Sequence, residues 1–216
     1  MGGAVLLVTA VPAEADAVRA GLVGDAVTVA PVGVVPAAAA AGTARLIALA
    51  EAAGRPYRAV LSAGIGGGFP GRAPVGSLVV ATRSVAADLG AESPDGFLTL
   101  DELGFGATAA PADPALLEVL RGGLPHAVTG AVLTLGTVTG TAATTLALLA
   151  RHPDAVAEAM EGYGVAVAAA GAGLPFAELR AVSNPVGPRD RSAWRIGDAF
   201  AALTAAATVL GKELAD

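Results

Sequence analysis

The sequence predicts an α/β fold, a three-layer α/β/α sandwich around a central mixed, mostly parallel sheet. Three observations lead there. Short runs rich in β-branched residues alternate with longer alanine-rich runs, the order expected when strands are followed by covering helices. Hydrophobic residues make up 54% of the 216 residues and charged residues only 15%, which suits a packed α/β body with part of its surface buried in an oligomer. No repeat and no long linker interrupts the chain, so residues 1–216 read as one domain.

Strands are expected where apolar runs carry β-branched residues: Ala4–Thr9, Val27–Val32, Arg58–Ser62, Ser77–Arg83, Ala131–Leu135 and Phe176–Val182. Helices are expected at Ala13–Gly21, Pro36–Ala53, Pro114–Arg121, Ala142–Arg151, Asp154–Gly171 and Ile196–Leu214. The segment Asp88–Ala112, with its acids, glycines and two phenylalanines, reads as a long irregular excursion of the kind that covers a site or an interface.

Composition removes several function classes. There is no cysteine, so disulfides, thiol nucleophiles and thiolate metal sites are out. Lys212, in the polar tail GKELAD, is the single lysine, which argues against Schiff-base or Walker chemistry. The net charge of −6 lacks the basic footprint of a nucleic-acid binder. No apolar run is long enough for a membrane span. The start MGGAVLLVTAV has no basic leader and reads as a strand rather than a signal peptide. A cytoplasmic protein acting on a small molecule, with no nucleic-acid or membrane partner, is the expectation.

In open α/β sheets, ligands sit at the carboxyl ends of strands. That rule singles out TAVPAEAD, SAGIGGGFPG, GTVTGT and SNPVGPRDR. Gly66-Gly67-Gly68-Phe69-Pro70-Gly71 satisfies GxGxxG but leads into another strand-like run, so the dinucleotide reading fails on context. What remains is a turn needing positive φ, or backbone N–H groups open to a ligand. His126 and His152 stand alone beside prolines, without metal spacing, and no GxSxG elbow occurs.

Glu14, in the first turn of a helix, either complements the helix dipole or acts in catalysis. Glu161 lies in AMEGYGVAVAAAG, and the apolar Val165, Ala168 and Ala169 continue its face. A buried carboxylate needs partners. Gly162 and Gly164 would let a ligand or another backbone approach it. Glu158 lies near the same face of an ideal helix, where both acids would be solvated. Ser183-Asn184 closes the last strand, where the amide is either a turn residue or a reader of a ligand edge.

The segments VTAVPAEADAV, VLSAGIGGGFPG, AEAMEGYG and LRAVSNPVGPRDRSAWRIGDAF, in this order, resemble the purine nucleoside phosphorylase and nucleosidase family. With ADLGAE and ELGF they resemble its members that release hypoxanthine from futalosine in the alternative menaquinone pathway. The resemblance covers essentially the whole chain. It implies a cofactor-free, metal-free N-glycosidase that is a homodimer or larger. Glu14 resembles the acid that activates water. Glu161 resembles the acid that binds the ribose hydroxyls, with Met160 against the sugar. Ala63, Gly64, Ile65 and Gly66 resemble the strand-end glycine loop beside the ribosyl group. Thr139 aligns with the segment flanking the purine, and Ser183 and Asn184 with the base-reading strand end.

Two positions depart from the adenine-specific relatives. Ala159 replaces an acid, and Asn184 replaces an aspartate. An amide can donate to O6 and accept from a protonated N7, which favours a 6-oxopurine over adenine. Three alternatives stay open. One is a phosphorylase, using Arg72, Arg189, Arg191 or Arg195 for the anion. Another is a 5′-methylthioadenosine/S-adenosylhomocysteine nucleosidase. The third is a purine-nucleoside binding module without catalysis.

Overall fold

A computed structural model describes residues 3–215. The first half runs β1 (Val5–Thr9), α1 (Pro12–Gly21), β2 (Val27–Pro31), α2 (Pro36–Ala52), β3 (Ala59–Gly68) and β4 (Leu78–Ala86). After β4 come β5 (Gly90–Ser93), β6 (Gly96–Thr99), α3 (Leu100–Leu103), β7 (Ala109–Pro111) and α4 (Pro114–Gly123). The last third holds β8 (Val128–Thr134), α5 (Ala142–Arg151), β9 (Ala155–Ala159), α6 (Gly162–Gly171), β10 (Phe176–Pro185) and α7 (Ile196–Glu213). Proline at the first turn of α1, α2 and α4 fits the φ that a helix start requires.

The main sheet has the order β10-β4-β8-β9-β3-β1-β2, with β7 paired to β4. Because β10 also pairs with β3, five strands close on themselves and β1 and β2 extend the wall. Most neighbours are parallel; β10–β4, β3–β9 and β4–β7 are antiparallel. Helices cover the sheet in layers. α1, α4 and α7 bury Val18, Leu120, Leu203 and Leu210 against Leu7, Leu61 and Leu179. α2 and α6 bury Ile47 and Val165 against Leu6, Val8 and Val60. α5 packs Leu148 on Leu133. The side chains enclosed by the five strands are small (Ala81, Ala157 and Ala159, with Val79, Val132 and Val182), as a narrow closed sheet demands. Among the described residues, no helix is long and apolar enough to cross a membrane.

One expected helix divides. Asp154–Gly171 is strand β9, a two-residue corner and helix α6. A five-residue apolar run cannot be told from a buried helix turn by period alone, and alanine hid the strand. Here β8 and β3 offer it backbone partners on both sides, and those ladders decide. Glu161 therefore stands at the start of a helix, with φ −121°, and not inside one.

The glycines after it answer to the protein's own packing. A Cβ on Gly162 would collide with the carboxylate of Glu178, and one on Gly164 with the carbonyl of Pro36. The glycine run of β3 is likewise not a turn. The strand continues through Gly68, and in this run only Gly71 has positive φ, +76°. A Cβ on Gly68 would strike the Ala73 carbonyl. The excursion is also ordered, contrary to expectation. β5 and β6 form a hairpin, Thr99 caps α3, and β7 joins the sheet. Elements of three or four residues leave no periodic signal to read.

The two ends of α6 should respond oppositely to the same methyl group. Gly164→Ala overpacks the α2–α6 contact and is expected to destabilise by about 1–3 kcal/mol. At Gly171 a Cβ would meet nothing within 4 Å, so Gly171→Ala is expected to add about 0.4–1 kcal/mol. Urea unfolding of the two variants checks both signs.

Candidate active site

A cavity of about 280 Å³ opens at the carboxyl ends of the strands. Its wall comes from Ala10 and Val11 after β1, Glu14 of α1 and Ile65–Gly67 of β3. Val138 and Thr139 after β8, Glu158–Glu161, and the run Ser183–Asp190 with Trp194 complete it. A larger hollow of about 810 Å³ lies beside Leu49 and Tyr57. It is bordered by the loop before β3, at the opposite strand ends, and has a single carboxylate, Asp25. The acids and amides converge in the smaller cavity.

Glu14 is the third residue of α1 and is buried. The N–H groups of Ala10 and Val11 donate to its Oε2 at 2.9 and 3.2 Å, and the N–H of Ile65 donates to Oε1 at 2.9 Å. Two loops from different strands thus fix one carboxylate. Gly64 makes the space: a Cβ there would sit 2.7 Å from both Glu14 Oε1 and Arg180 Nη1.

Glu161 is buried at the corner between β9 and α6. The N–H of Val35 donates to its Oε1 at 3.4 Å, and the N–H of Met160 donates to Oε2 at 3.3 Å. Arg180 Nη1 also reaches Oε2, at 3.4 Å. Burial pushes the Glu161 carboxyl above the usual range; the Arg180 charge pulls it down, and the nearby Glu14 pushes it up again. Val35 has φ +73° and ψ 158°, a region almost reserved for glycine. A β-branched residue held there stores strain of roughly 1–3 kcal/mol.

Arg180 is wholly buried. Besides Glu161, it donates from Nε to Glu178 Oε1 at 2.8 Å and from Nη2 to Ser62 Oγ at 2.9 Å. Ser84 donates to the other Glu178 oxygen. The flanking carboxylates hold the guanidinium protonated against its desolvation.

Glu158 faces the cavity from β9. Both its oxygens accept from Thr139: Oε1 from the backbone N–H at 2.8 Å and Oε2 from the hydroxyl. Burial raises its carboxyl, opposed by these Thr139 bonds.

At the end of β10 a bulge lets Ser183 slip between Val182 and Asn184. The Ser183 hydroxyl lies 2.8 Å from Asn184 Oδ1, and Asn184 Nδ2 donates to the Pro185 carbonyl at 3.0 Å. That carbonyl only accepts, which fixes the amide with nitrogen toward it. One N–H and one oxygen lone pair of the amide stay free. Beyond it, the guanidinium carbons of Arg189 and Arg191 lie 5.9 and 5.7 Å from the Trp194 ring centre.

Of the residues singled out in sequence, Glu14, Ile65, Gly66, Thr139, Met160, Glu161, Ser183 and Asn184 share this cavity. Ala63 and Gly64 do not line it. Ala63 lies in the core, and Gly64 packs against Glu14 and Arg180. The expected glycine loop is a strand. Arg72 is bound to the carbonyls of Pro153 and Ala155, away from the cavity. Sequence reasoning missed Arg180, Glu178 and the inward position of Glu158. Two charges spaced by two inside the apolar strand FAELRAV were the available signal for the first pair.

Residues 8–215 match the family described as the phosphorylase superfamily. The chain is 61% identical to a futalosine hydrolase of Streptomyces coelicolor over 172 residues, 80% of this chain and 73% of that protein. It is 48% identical to a futalosine hydrolase of Acidothermus cellulolyticus over 93% of this chain and 90% of the other. Among solved structures, 5′-methylthioadenosine/S-adenosylhomocysteine nucleosidase of Neisseria meningitidis superposes with TM-score 0.79 at 18% identity, covering 97% of this chain and 99% of that one. The futalosine hydrolase of Helicobacter pylori superposes with TM-score 0.78 at 16% identity, covering 98% and 97%. The structural likenesses carry the fold, the sequence identities carry the family, and together they make this chain a member of the phosphorylase superfamily, in its futalosine hydrolase branch.

Proposed function

We propose that the protein hydrolyses the N-glycosidic bond of futalosine, releasing hypoxanthine and dehypoxanthine futalosine, as a step of menaquinone biosynthesis. One observation carries this reading. Two buried carboxylates, Glu14 and Glu161, share a cavity with the half-free amide of Asn184, in a chain 48% identical across 93% of its length to a futalosine hydrolase.

Cleavage puts positive charge on the sugar and negative charge on the departing base. Glu14, held by three backbone N–H groups, takes a proton from water as the water oxygen bonds the anomeric carbon and the bond to the purine nitrogen breaks. Glu161 keeps one lone pair, on Oε1, for a ribose hydroxyl, and its charge favours the cationic sugar. Met160 borders the sugar side. The free N–H of Asn184 donates to O6, and its free lone pair accepts from N7–H once the departing purine has taken a proton from solvent water.

The cavity supports water over phosphate as the nucleophile. Glu14, Glu158, Glu161 and Asp190 line it, against Arg189 alone among cations. Arg180 is bound to Glu178, Ser62 and Glu161. A dianion would meet net negative charge. The same reading takes residues 1–216 as one catalytic unit, acting in the cytoplasm as a homo-oligomer. Phe105 and Leu146, 79% and 69% accessible, are large apolar side chains that a partner subunit would cover.

Purified protein given futalosine, with and without phosphate, should release hypoxanthine and a free sugar at equal rates in both. Strict phosphate dependence would replace hydrolysis by phosphorolysis. Glu14→Gln is expected to lower kcat by about 10²–10⁴-fold with the fold intact by circular dichroism; near-normal turnover removes Glu14 as the base. Asn184→Asp is expected to cut the preference for hypoxanthine over adenine nucleosides by about 10–100-fold, read as a ratio of kcat/KM values. Removing the Arg180 charge together with its inner partner (Arg180→Met with Glu178→Gln) takes away what pulls Glu161 down. The acid limb of kcat/KM should therefore move to higher pH, and a fixed limb would assign it to another group.

A further inference from the structure

Among the described residues, Val35 is the one residue other than glycine with positive φ. Its φ of +73° and ψ of 158° lie in a region that is essentially glycine's alone. Pro36 follows it. The ψ is ordinary for a residue before proline, but the φ expected there is about −120°. The strain holds a backbone N–H in place: the N–H of Val35 donates to Glu161 Oε1 at 3.4 Å. Relaxing φ to about −120° with ψ kept would turn the Val34–Val35 peptide over by about half a turn. The N–H would then leave Glu161, and the Val34 carbonyl, an acceptor, would face the carboxylate. Val34 itself lines the cavity.

The loop is pinned at both ends. The N–H groups of Val32 and Gly33 donate to the carbonyls of Thr9 and Ala10 at 2.8 and 3.0 Å, and the N–H of Ala39 donates to the Val35 carbonyl at 3.0 Å. Pro36 packs on α6, where a Cβ on Gly164 would strike its carbonyl. Ala10 serves both acids: its N–H holds Glu14 Oε2, and its carbonyl braces this loop. The two oxygens of Glu161 are not equivalent. Oε2 accepts from the N–H of Met160 and from Arg180. Among the described residues, Oε1 accepts from Val35 alone and keeps one lone pair. The charged side chains around Glu161 are Arg180 and Glu178 of β10 and Glu14 of α1. The start of α2, Pro36–Gly42, carries none.

We propose that Val35 is a positioning residue: its backbone N–H, presented in a glycine-like conformation, fixes Glu161 Oε1 so that the remaining lone pair meets a ribose hydroxyl. The proposal rests on the hydrolase reading, which makes Glu161 the acid that binds the sugar. The strain is what it costs to turn a donor toward the carboxylate in place of a carbonyl. The backbone does the aiming, so glycine should replace valine without loss.

Two variants separate the backbone from the side chain. Val35→Gly keeps the N–H and admits the same φ. Its kcat/KM for futalosine should stay within about twofold of wild type, with the acid limb of the pH profile unmoved. Val35→Pro removes the N–H and forbids positive φ. Its kcat/KM should fall by about 10–100-fold. A hydrogen bond to the charged form holds a carboxyl down, so losing this donor should move the acid limb of Val35→Pro to higher pH. Equal losses in both variants, or a fixed acid limb in Val35→Pro, are what a packing role would give and overturn the assignment. A measurement on wild type covers a proline variant that does not fold. In protein labelled with ¹⁵N-valine, the Val35 amide is assigned by its absence in Val35→Gly. Its proton should move upfield as the pH falls and Glu161 takes up a proton, and should stay still in Glu161→Gln. A resonance that ignores pH in wild type also overturns the assignment. Wild type that leaves futalosine uncleaved would sink the hydrolase reading instead, and the Val35 resonance, which needs no substrate, would still judge the contact with Glu161.

Discussion

The buried guanidinium of Arg180 is the interaction on which the rest of the site depends. It is a fully enclosed cation with Glu161 on one side, Glu178 on another and Ser62 on a third. Desolvating one charge costs several kcal/mol, and removing a single partner from such a group leaves an uncompensated ion. The cluster therefore constrains its surroundings. Gly64 and Gly162 lack side chains because Arg180, Glu14 and Glu178 occupy that space. The closure of β10 onto β3 brings Arg180 over Ser62. The fold and the site are one piece of packing seen from two sides.

Electrostatics explains why this packing is useful. Several carboxylates around one cation leave a surplus of negative charge in a poorly hydrated space. Burial pushes Glu158 and Glu161 toward their neutral forms, so holding them charged is electrostatically uncomfortable. A substrate that develops positive charge at the sugar and brings N–H and O–H donors relieves that discomfort most in the transition state. Such preorganised polarity is the usual large contribution to catalysis. The strained Val35 belongs to the same economy: its N–H reaches Glu161 from a backbone conformation that the helix after it holds in place.

Much of the architecture was legible from the alternation of runs. Long helices such as α2, α5 and α7 were bounded within a residue or two of their observed ends, because Pro36 opens α2 and long alanine-rich runs mark all three. β9 was not legible, since AVAEA has no β-branched majority and its strand state is imposed by β3 and β8. The residues with recognisable neighbours, Glu14, Glu161 and Asn184, were readable because ordered motifs carry them. Arg180 and Glu178 were passed over inside an apolar strand, and Glu158 was assigned to a solvated helix face. All three errors share a cause. A side chain's surroundings depend on which strands close beside it, and that is a long-range fact absent from any local window.

The glycines that line and back the cavity have a consequence for how such an enzyme can diversify. Gly64, Gly66, Gly67 and Gly162 each face a neighbour too close to admit a methyl group, so the back wall is frozen against gradual substitution. Val138–Thr139, Pro188–Asp190 and Trp194 press on the same ligand space from loops, which tolerate change far better than packed strands. Change of substrate preference is therefore cheaper in the loops than in the glycine wall, where each added methyl group must displace a packed neighbour.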